Sequence, residues 1–234
     1  MTWKISKGLA KLMYPPACCM CGRLIEEEGA CDDCIKRLSQ VEYPCCLKCG
    51  KELEDEDAAL CRDCMAKQRS FVRGYPLYNY ISPVSEALAS FKYEAHQEYA
   101  EFFGMQMVKR YRGEYMKIAP DAVIPVPVYK KRLMKRGFNQ AELLAEVICR
   151  ETGLTLDTET LVRSEDTHTQ KQLGNEERER NLRNAFSATK RAGNCVLLVD
   201  DIYTTGATIE SCTNTLLAAG AVRVYYTSVA IGKV

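Results

Sequence analysis

The spacing of apolar residues changes near residue 71, where an irregular, cysteine-rich segment gives way to alternating helix and strand patterns. Residues 85–111 place their apolar side chains on one side of a predicted helix. The β-branched run 122–128 predicts a strand that prolines interrupt at its end. Asn139 favours the start of a further helix over residues 140–152.

The carboxyl-terminal part contains one strand–loop–helix unit and then a last strand. Residues 196–199 are all apolar, which is typical of a parallel strand covered on both faces. A helix is predicted over 208–219, ending at Gly220, and a strand over 222–230. This alternation predicts an α/β fold, in which crossover helices flank a parallel sheet.

The composition limits the classes of protein to which the chain can belong. Its 234 residues, 47% apolar and 27% charged, suffice for one sizeable core and a small accessory module. The formal net charge of +1 excludes non-specific coating of nucleic acid. No uninterrupted apolar run is long enough to cross a membrane, and residues 1–16 lack the apolar core of a secretory signal. We therefore predict a cytoplasmic protein with two domains, an amino-terminal helix and cysteine-rich module over 1–72 and an α/β domain over 73–234.

Cysteine is the residue type that departs most from an ordinary composition, since ten of the thirteen cysteines lie within residues 18–64. A reducing compartment argues against a disulfide framework. The spacing is an internal repeat, C-x2-C-G followed by C-x-D-C, whose paired cysteines are Cys18, Cys21, Cys31, Cys34, Cys46, Cys49, Cys61 and Cys64. Four thiolates make a closed tetrahedral site, so the repeat predicts a double zinc ribbon with two structural Zn²⁺ ions. Paired turns followed by glycine suit zinc better than an iron–sulfur cluster, which four cysteines also hold.

Two aspects of this segment stay open at this point. The two sites can be sequential or interleaved, and the repeat favours the sequential arrangement. Cys19 and Cys45 are left over as adjacent thiols, and Cys45 could replace Cys46 at a looser spacing. Because the segment keeps a net negative charge even with two zinc ions bound, a protein partner or a structural role is favoured over DNA reading.

The candidate chemistry of the larger domain lies in the strand–loop–helix unit. Asp200 and Asp201 follow the apolar strand, at the edge where open α/β sheets bind ligands. Two adjacent carboxylates suit vicinal hydroxyls and a hydrated Mg²⁺. The hydroxyls and backbone amides of a phosphate-binding helix N-terminus come from Thr204, Thr205, Gly206, Ala207 and Thr208.

This unit resembles the phosphoribosyl pyrophosphate (PRPP) signature of type I phosphoribosyltransferases, in which two acids end an apolar strand and T-T-G-A-T follows. The resemblance implies a type I phosphoribosyltransferase-like fold. It also implies that residues 204–208 hold the 5-phosphate of PRPP. Asp200 and Asp201 would hold the ribose hydroxyls, directly or through Mg²⁺.

Further segments have roles that the resemblance implies. A pyrophosphate loop and basic cluster comprises Val128, Tyr129, Lys130, Lys131, Arg132, Lys135 and Arg136. Its cations could neutralise pyrophosphate or contact a nucleic-acid backbone, and a solvated basic turn is the alternative. A flap that closes over the substrate is expected within residues 163–184, with Thr169, Gln170 and Arg178 as candidates. Lys92 is a weaker candidate for the edge of the site, since an ordinary exposed helix lysine is favoured there.

Other motifs narrow the resemblance to the ComF family of late competence proteins. They are P-V-P-V at 125–128, R-G-F-N-Q at 136–140, Gln170, Leu173, Arg178, Asn181 and N-A-F at 184–186. The resemblance implies a double zinc ribbon joined to an amidophosphoribosyltransferase-like domain. It implies a role in natural transformation, in which incoming single-stranded DNA is handled in the cytosol with a helicase-like partner that the zinc head contacts.

Two functions of different classes remain. The first is a competence factor that binds PRPP. The second is an active, Mg²⁺-dependent phosphoribosyltransferase with an unknown acceptor, unrelated to DNA. The PRPP signature is present under both, and no acceptor-binding motif is recognisable, so the sequence does not decide whether the protein is an enzyme.

Overall fold

A parallel four-stranded sheet forms the centre of the computed structural model, which describes residues 16–26, 29–93, 98–163 and 185–232. Its strands are β1 (Gly74–Asn79), β2 (Ala122–Pro125), β5 (Cys195–Tyr203) and β6 (Arg223–Ile231), in the order β1–β6–β5–β2. Two short strands, β3 (Leu161–Arg163) and β4 (Phe186–Ala188), pair antiparallel beside it. The predicted mixed α/β fold with a parallel sheet is therefore confirmed.

Helices cover both faces of this sheet. In chain order they are α1 (Asp32–Ile35), α2 (Arg62–Ala66), α3 (Val84–Tyr93), α4 (Glu98–Ile118), α5 (Lys130–Arg136), α6 (Gln140–Thr152) and α7 (Ala207–Ala218). Helices α3, α4 and α6 share one core with Leu197 and Val199 of β5. Helix α7 and the second group of cysteines share the other core with Val196 and Leu198. The apolar run of β5 thus sends alternate residues to opposite faces, as expected for a strand covered on both sides.

The boundaries of α6 agree with those predicted from its caps. The side chain of Asn139 accepts a hydrogen bond from the Ala141 amide at 3.2 Å, and Gly153 ends the helix in the left-handed conformation. The helical region predicted over 85–111 instead contains α3 and α4, and α4 continues to Ile118.

Three further features of the fold differ from the predictions. Strand β2 ends at Pro125, before the second proline of the P-V-P-V motif. Strand β5 continues beyond residue 199 to Tyr203, because β6 runs alongside it and pairs Asp200 with Ser228. The basic residues expected in a turn form the short helix α5.

Strand β1 lacks a clear signal in the sequence. It contains Gly74 and Pro76, two residue types that disfavour strands. Because β1 lies at the edge of the sheet and pairs only with β6 among the described strands, the missing amide of Pro76 is tolerated.

Candidate functional site

Two adjacent carboxylates lie near the carboxyl end of β5, one of the two central strands. Asp201 is buried, and its Oδ2 lies 2.7 Å from the Lys92 Nζ of α3. The Asp201 amide donates to Asp200 Oδ1 at 2.8 Å. Burial, and after it the charge of Asp201, raises the pKa of Asp200 to about 8, whereas Lys92 acts in the opposite direction. Lys92 thus offsets part of the repulsion between the acids, and a divalent cation or a pair of hydroxyls would offset more of it.

The favoured interpretation of Lys92 as an ordinary exposed helix lysine was wrong. Its side chain is only 24% exposed, and it is paired with an acid that lies far away in the sequence. The weaker alternative, that Lys92 lies at the edge of the site, agrees with this position.

The loop after β5 enters α7 through a glycine that no other residue can replace without strain. Gly206 has φ of +77° and is the N-cap of α7. A Cβ at this position would lie 2.2 Å from the Tyr203 hydroxyl oxygen, so conformation and space both require glycine. Thr204 and Thr205 are exposed on this turn, and α7 begins at Ala207. The first turn of a helix leaves backbone amides without intrahelical partners, and here they adjoin the exposed threonines.

Residues that follow the second cysteine group hold this loop in place. The Arg69 guanidinium, on a residue that is only 9% exposed, donates to the Thr205 carbonyl at 2.7 Å. Ser70 donates to Glu210 Oε1 through its amide at 2.9 Å and through its hydroxyl at 2.6 Å. The loop and the first turn of α7 are therefore anchored by the segment that leads from the cysteine module into β1.

The loop expected to hold pyrophosphate begins beside the two acids. The Val126 amide donates to the Val199 carbonyl at 2.9 Å, so the chain leaving β2 passes next to the start of the acidic pair. The Asn139 side chain donates to the Val126 carbonyl at 3.1 Å and fixes this exit. Val128 and Tyr129, which precede α5, are half-buried. On α5 itself Lys130, Lys131 and Lys135 are exposed, whereas Arg132 and Arg136 are half-buried.

The candidate flap residues Thr169, Gln170 and Arg178 lie outside the described residues. The description stops at Arg163, the end of β3, and resumes at Ala185, before β4. The described strands on either side, β3 and β4, pair with each other and pack near α7.

The eight paired cysteines form two clusters of four, and the members of each cluster are successive along the chain. In each cluster the four Sγ atoms lie within 4.8 Å of one another; the clusters are Cys18, Cys21, Cys31, Cys34 and Cys46, Cys49, Cys61, Cys64. The sequential arrangement favoured by the repeat is thus the observed one. Four convergent thiols without a carboxylate or imidazole among them suit a closed, structural zinc site.

The turns of both clusters follow from the glycine after the second cysteine. Gly22 and Gly50 have φ of +71° and +76°. A Cβ at Gly50 would also lie 2.5 Å from Pro76 Cδ, because the second cluster packs directly on β1. In the first cluster, the amides of Met20 and Cys31 donate to the Cys18 Sγ at 3.4 and 3.2 Å, the kind of hydrogen bond that stabilises a thiolate.

The aspartate of each C-x-D-C segment has a role that the repeat did not reveal. Asp33 lies 2.7 Å from Arg23, and Asp63 lies 2.8 Å from Lys51. In both cases the basic residue directly follows the glycine of the C-x2-C-G turn, so the ion pair joins the two halves of a cluster. The sequence contains a signal for this ion pair. In both repeats a basic residue follows the glycine, and an acid lies inside the second cysteine pair.

The two clusters differ in their surroundings. In the first cluster Cys21 is exposed, whereas all four cysteines of the second are buried. The Tyr226 hydroxyl of β6 donates to the Cys49 carbonyl at 2.8 Å. The Tyr226 ring stacks on the Tyr203 ring with centroids 4.8 Å apart. The second cluster is therefore part of the packing behind the loop of Gly206.

The two adjacent thiols left over by the repeat lie outside the clusters. Cys45 donates to the Glu42 carbonyl at 2.9 Å, so the second cluster uses Cys46. Cys19 is buried in the core against α3 and α4, and burial raises its pKa to about 12. These surroundings favour an inert thiol at Cys19.

Comparison with known proteins places this arrangement in a family. Residues 9–65 match the family profile of the double zinc ribbon domain. The chain is 30% identical over 204 residues to Competence protein F of Haemophilus influenzae, covering 84% of this chain and 87% of that protein. It is 29% identical over 219 residues to the DNA utilization protein YhgH of Salmonella typhi, with 91% and 96% covered. Competence protein ComFC of Bacillus subtilis is 32% identical over 175 residues, with 69% and 68% covered.

In the described part of the chain, no helix has the length and apolar character needed to cross a membrane.

The two four-cysteine clusters are zinc-binding sites of the double zinc ribbon. The similarity extends over most of the chain and most of each relative, and the chain belongs to the ComF family of competence proteins.

Proposed function

We propose that this protein is a late competence factor that binds PRPP together with Mg²⁺. In this proposal it acts in the cytosolic handling of single-stranded DNA during natural transformation. The observation that carries the PRPP site is the position of Asp200 and Asp201. They lie at the carboxyl end of a central parallel strand, and a glycine turn leads from them directly into the N-terminus of α7.

The roles of the residues follow from their positions. The hydroxyls and amides of residues 204–208 hold the 5-phosphate at the start of α7, where the helix dipole favours an anion. Asp200 and Asp201 bind the ribose hydroxyls, directly or through hydrated Mg²⁺. The exposed lysines of α5 lie beyond the exit of β2 and offset the charge of pyrophosphate.

The carboxylate pair fits a divalent cation. Its two acids are adjacent, Asp201 is buried, and their mutual repulsion is only partly offset by Lys92. Carboxylates with several retained waters are the usual ligands of Mg²⁺ in proteins. When bound, Mg²⁺ supplies charge neutralisation for the pyrophosphate group.

An active phosphoribosyltransferase of the amidophosphoribosyltransferase-like type, with an unknown acceptor, is the second candidate. Phosphoribosyl transfer depends on positioning and on stabilising the departing pyrophosphate, so it needs no dedicated nucleophile. The acidic pair, the glycine turn and the basic helix would all serve such a reaction. Binding without turnover uses the same residues, and a PRPP-consumption assay with candidate acceptors separates the two.

The names of the relatives support the competence and DNA parts of the proposal. Two of them are called competence proteins and one a DNA utilization protein. The double zinc ribbon is the part of the chain that contacts a helicase-like partner in this proposal. Its negative charge suits a protein surface better than a DNA backbone.

The test is a thermal shift measured with PRPP and Mg²⁺. Wild-type protein is expected to gain melting temperature, since a ligand that binds only the folded state stabilises it. Replacing both acids (Asp200→Ala with Asp201→Ala) is expected to abolish the gain, whereas the exposed control Glu146→Ala on α6 retains it. An equal gain in wild type and the double variant contradicts the PRPP site.

A further inference from the structure

A large groove lies at the end of the sheet where the parallel strands begin, opposite to the end that carries the acidic pair. It has a volume of about 930 Å³ and is lined by residues of the segment 41–50, by α4 and by the amino ends of β1 and β6. We call it the amino-edge groove and define it by Tyr43, Arg73, Tyr75, Arg110, Tyr111 and Arg223. None of these residues belongs to the site discussed above.

Aromatic rings line the groove as a group. Tyr75 lies 5.6 Å from Tyr111 and 6.5 Å from Tyr225, measured between ring centroids, and its plane is inclined by 27° to that of Tyr225. The Tyr111 hydroxyl donates to the Pro76 carbonyl, which fixes the ring of Tyr111 at the wall. Tyr43 stands at the rim and is 75% exposed. The groove thus offers packed aromatic rings along its wall and one exposed ring at its rim.

Positive charges alternate with these rings. Arg73 lies over the Tyr75 ring at 5.8 Å and Arg110 over the Tyr111 ring at 6.0 Å. Lys117 and Arg223 are exposed at the wall, and the acid Glu114 also lines the groove. All four cations belong to the larger α/β part of the chain, and Glu114 is the only acid among the described residues that line the groove.

We propose that the amino-edge groove binds single-stranded DNA. Grooves that hold single strands combine cations that follow the phosphates with aromatic side chains on which bases stack. The stacked and edge-packed tyrosines supply the base contacts, and the arginines above them supply phosphate contacts and cation–π contacts. A duplex keeps its bases stacked on one another and therefore gains nothing from these rings.

The groove and the PRPP site can be occupied at the same time. Arg223 pairs with Cys195 at the start of β5. From Cys195 to Asp200 the strand extends roughly 17 Å, at the usual rise of a parallel strand. The two sites therefore lie at opposite ends of the strands of one sheet, with the groove where the strands begin and the acidic pair near where they end. This inference rests on the DNA-handling part of the proposed function but not on PRPP binding.

The charge of the groove is tested by the salt dependence of binding. The probe is a fluorescent oligothymidylate of about 20 nucleotides, longer than one ordinary binding site. For the double variant Lys117→Gln with Arg223→Gln, we expect affinity to fall on the order of tenfold. The slope of log affinity against log salt should fall by about 0.7 for each phosphate contact removed. The matched control, Lys36→Gln with Arg62→Gln, carries the same charge change at exposed positions that do not line the groove and should leave both quantities unchanged.

The stacking contribution is tested at the exposed ring. Tyr43→Leu should weaken oligothymidylate binding on the order of tenfold, whereas Tyr43→Phe should retain it. Zinc content and melting temperature verify that each variant is folded. If the wild type binds the oligonucleotide and the groove variants bind equally well, or if the Lys36→Gln with Arg62→Gln control loses as much affinity as the groove variant, the groove is not the binding surface. Equal affinity for a duplex of the same length also overturns it. A wild type that binds no single strand refutes the DNA-handling proposal itself, while the PRPP thermal shift remains a separate result.

Discussion

The Lys92 Nζ lies 2.7 Å from Asp201 Oδ2, so an ion pair joins α3 to the strand that carries both acids. The lysine side chain is 24% exposed and that of the aspartate 11%. An ion pair shielded to this degree is screened less by solvent than a surface pair, and the loss of one partner leaves a poorly solvated charge.

Replacing the lysine alone tests this relationship. Lys92→Met should lower the free energy of unfolding by about 1–2 kcal/mol, because Asp201 then remains charged and buried beside Asp200. Urea unfolding in metal-free buffer measures the change. The same substitution in an Asp201→Asn background should cost much less, since the charge it compensates is gone. If the two single effects simply add, the ion pair contributes nothing to stability.

The glycine turn before α7 gives a second prediction. Gly206→Ala places a Cβ at a positive φ and against the Tyr203 hydroxyl, so it should destabilise the fold by more than about 1 kcal/mol and remove the PRPP-induced gain in melting temperature. Gly113→Ala is the matched control. Gly113 lies in α4, a Cβ there would have nothing within 4 Å, and alanine should stabilise the helix by about 0.5–1 kcal/mol. A harmless Gly206→Ala is incompatible with the described turn.

The parts of the fold that the sequence predicted well are those specified by local signals. The caps at Asn139 and Gly153 bound α6, and the repeated cysteine spacing gives both clusters and their order. In each case the residues that determine the structure lie within a few positions of one another. Capping and turn chemistry act over that range, so they are visible without a structure.

The parts that were missed depend on residues far apart in the chain. Strand β1 forms because β6 offers it a partner, despite Gly74 and Pro76. The extension of β5 to Tyr203 depends on the same strand. The pairing of Lys92 with Asp201 requires that α3 pack beside the carboxyl end of the sheet, which no local pattern encodes.

The ion pairs within the two cysteine clusters give a third prediction. Asp63→Asn should lower the free energy of unfolding by about 1–2 kcal/mol, because it leaves the Lys51 ammonium, whose side chain is 9% exposed, without its carboxylate. Asp33→Asn is the matched substitution in the first cluster. Its partner Arg23 is 65% exposed and the pair is screened by solvent, so this change should cost clearly less than Asp63→Asn. Chemical unfolding of the zinc-loaded proteins measures both, and equal costs would show that burial of the basic partner is irrelevant.

Loss of one zinc ligand in each cluster should have unequal consequences for the distant loop. Cys34→Ser and Cys64→Ser should each lower the zinc content from about two ions per chain to about one, because a three-thiolate remnant binds weakly. Only Cys64→Ser should also remove the PRPP-induced gain in melting temperature. The Cys49 carbonyl of the second cluster accepts a hydrogen bond from the Tyr226 hydroxyl. In the segment that follows this cluster, Arg69 donates a hydrogen bond to the Thr205 carbonyl of the loop. The first cluster makes no such contact among the described residues, so its loss leaves the loop anchored. Metal analysis by mass spectrometry and the thermal shift are measured on the same preparations. A normal PRPP response in Cys64→Ser, with one zinc lost, would separate the second cluster from the loop.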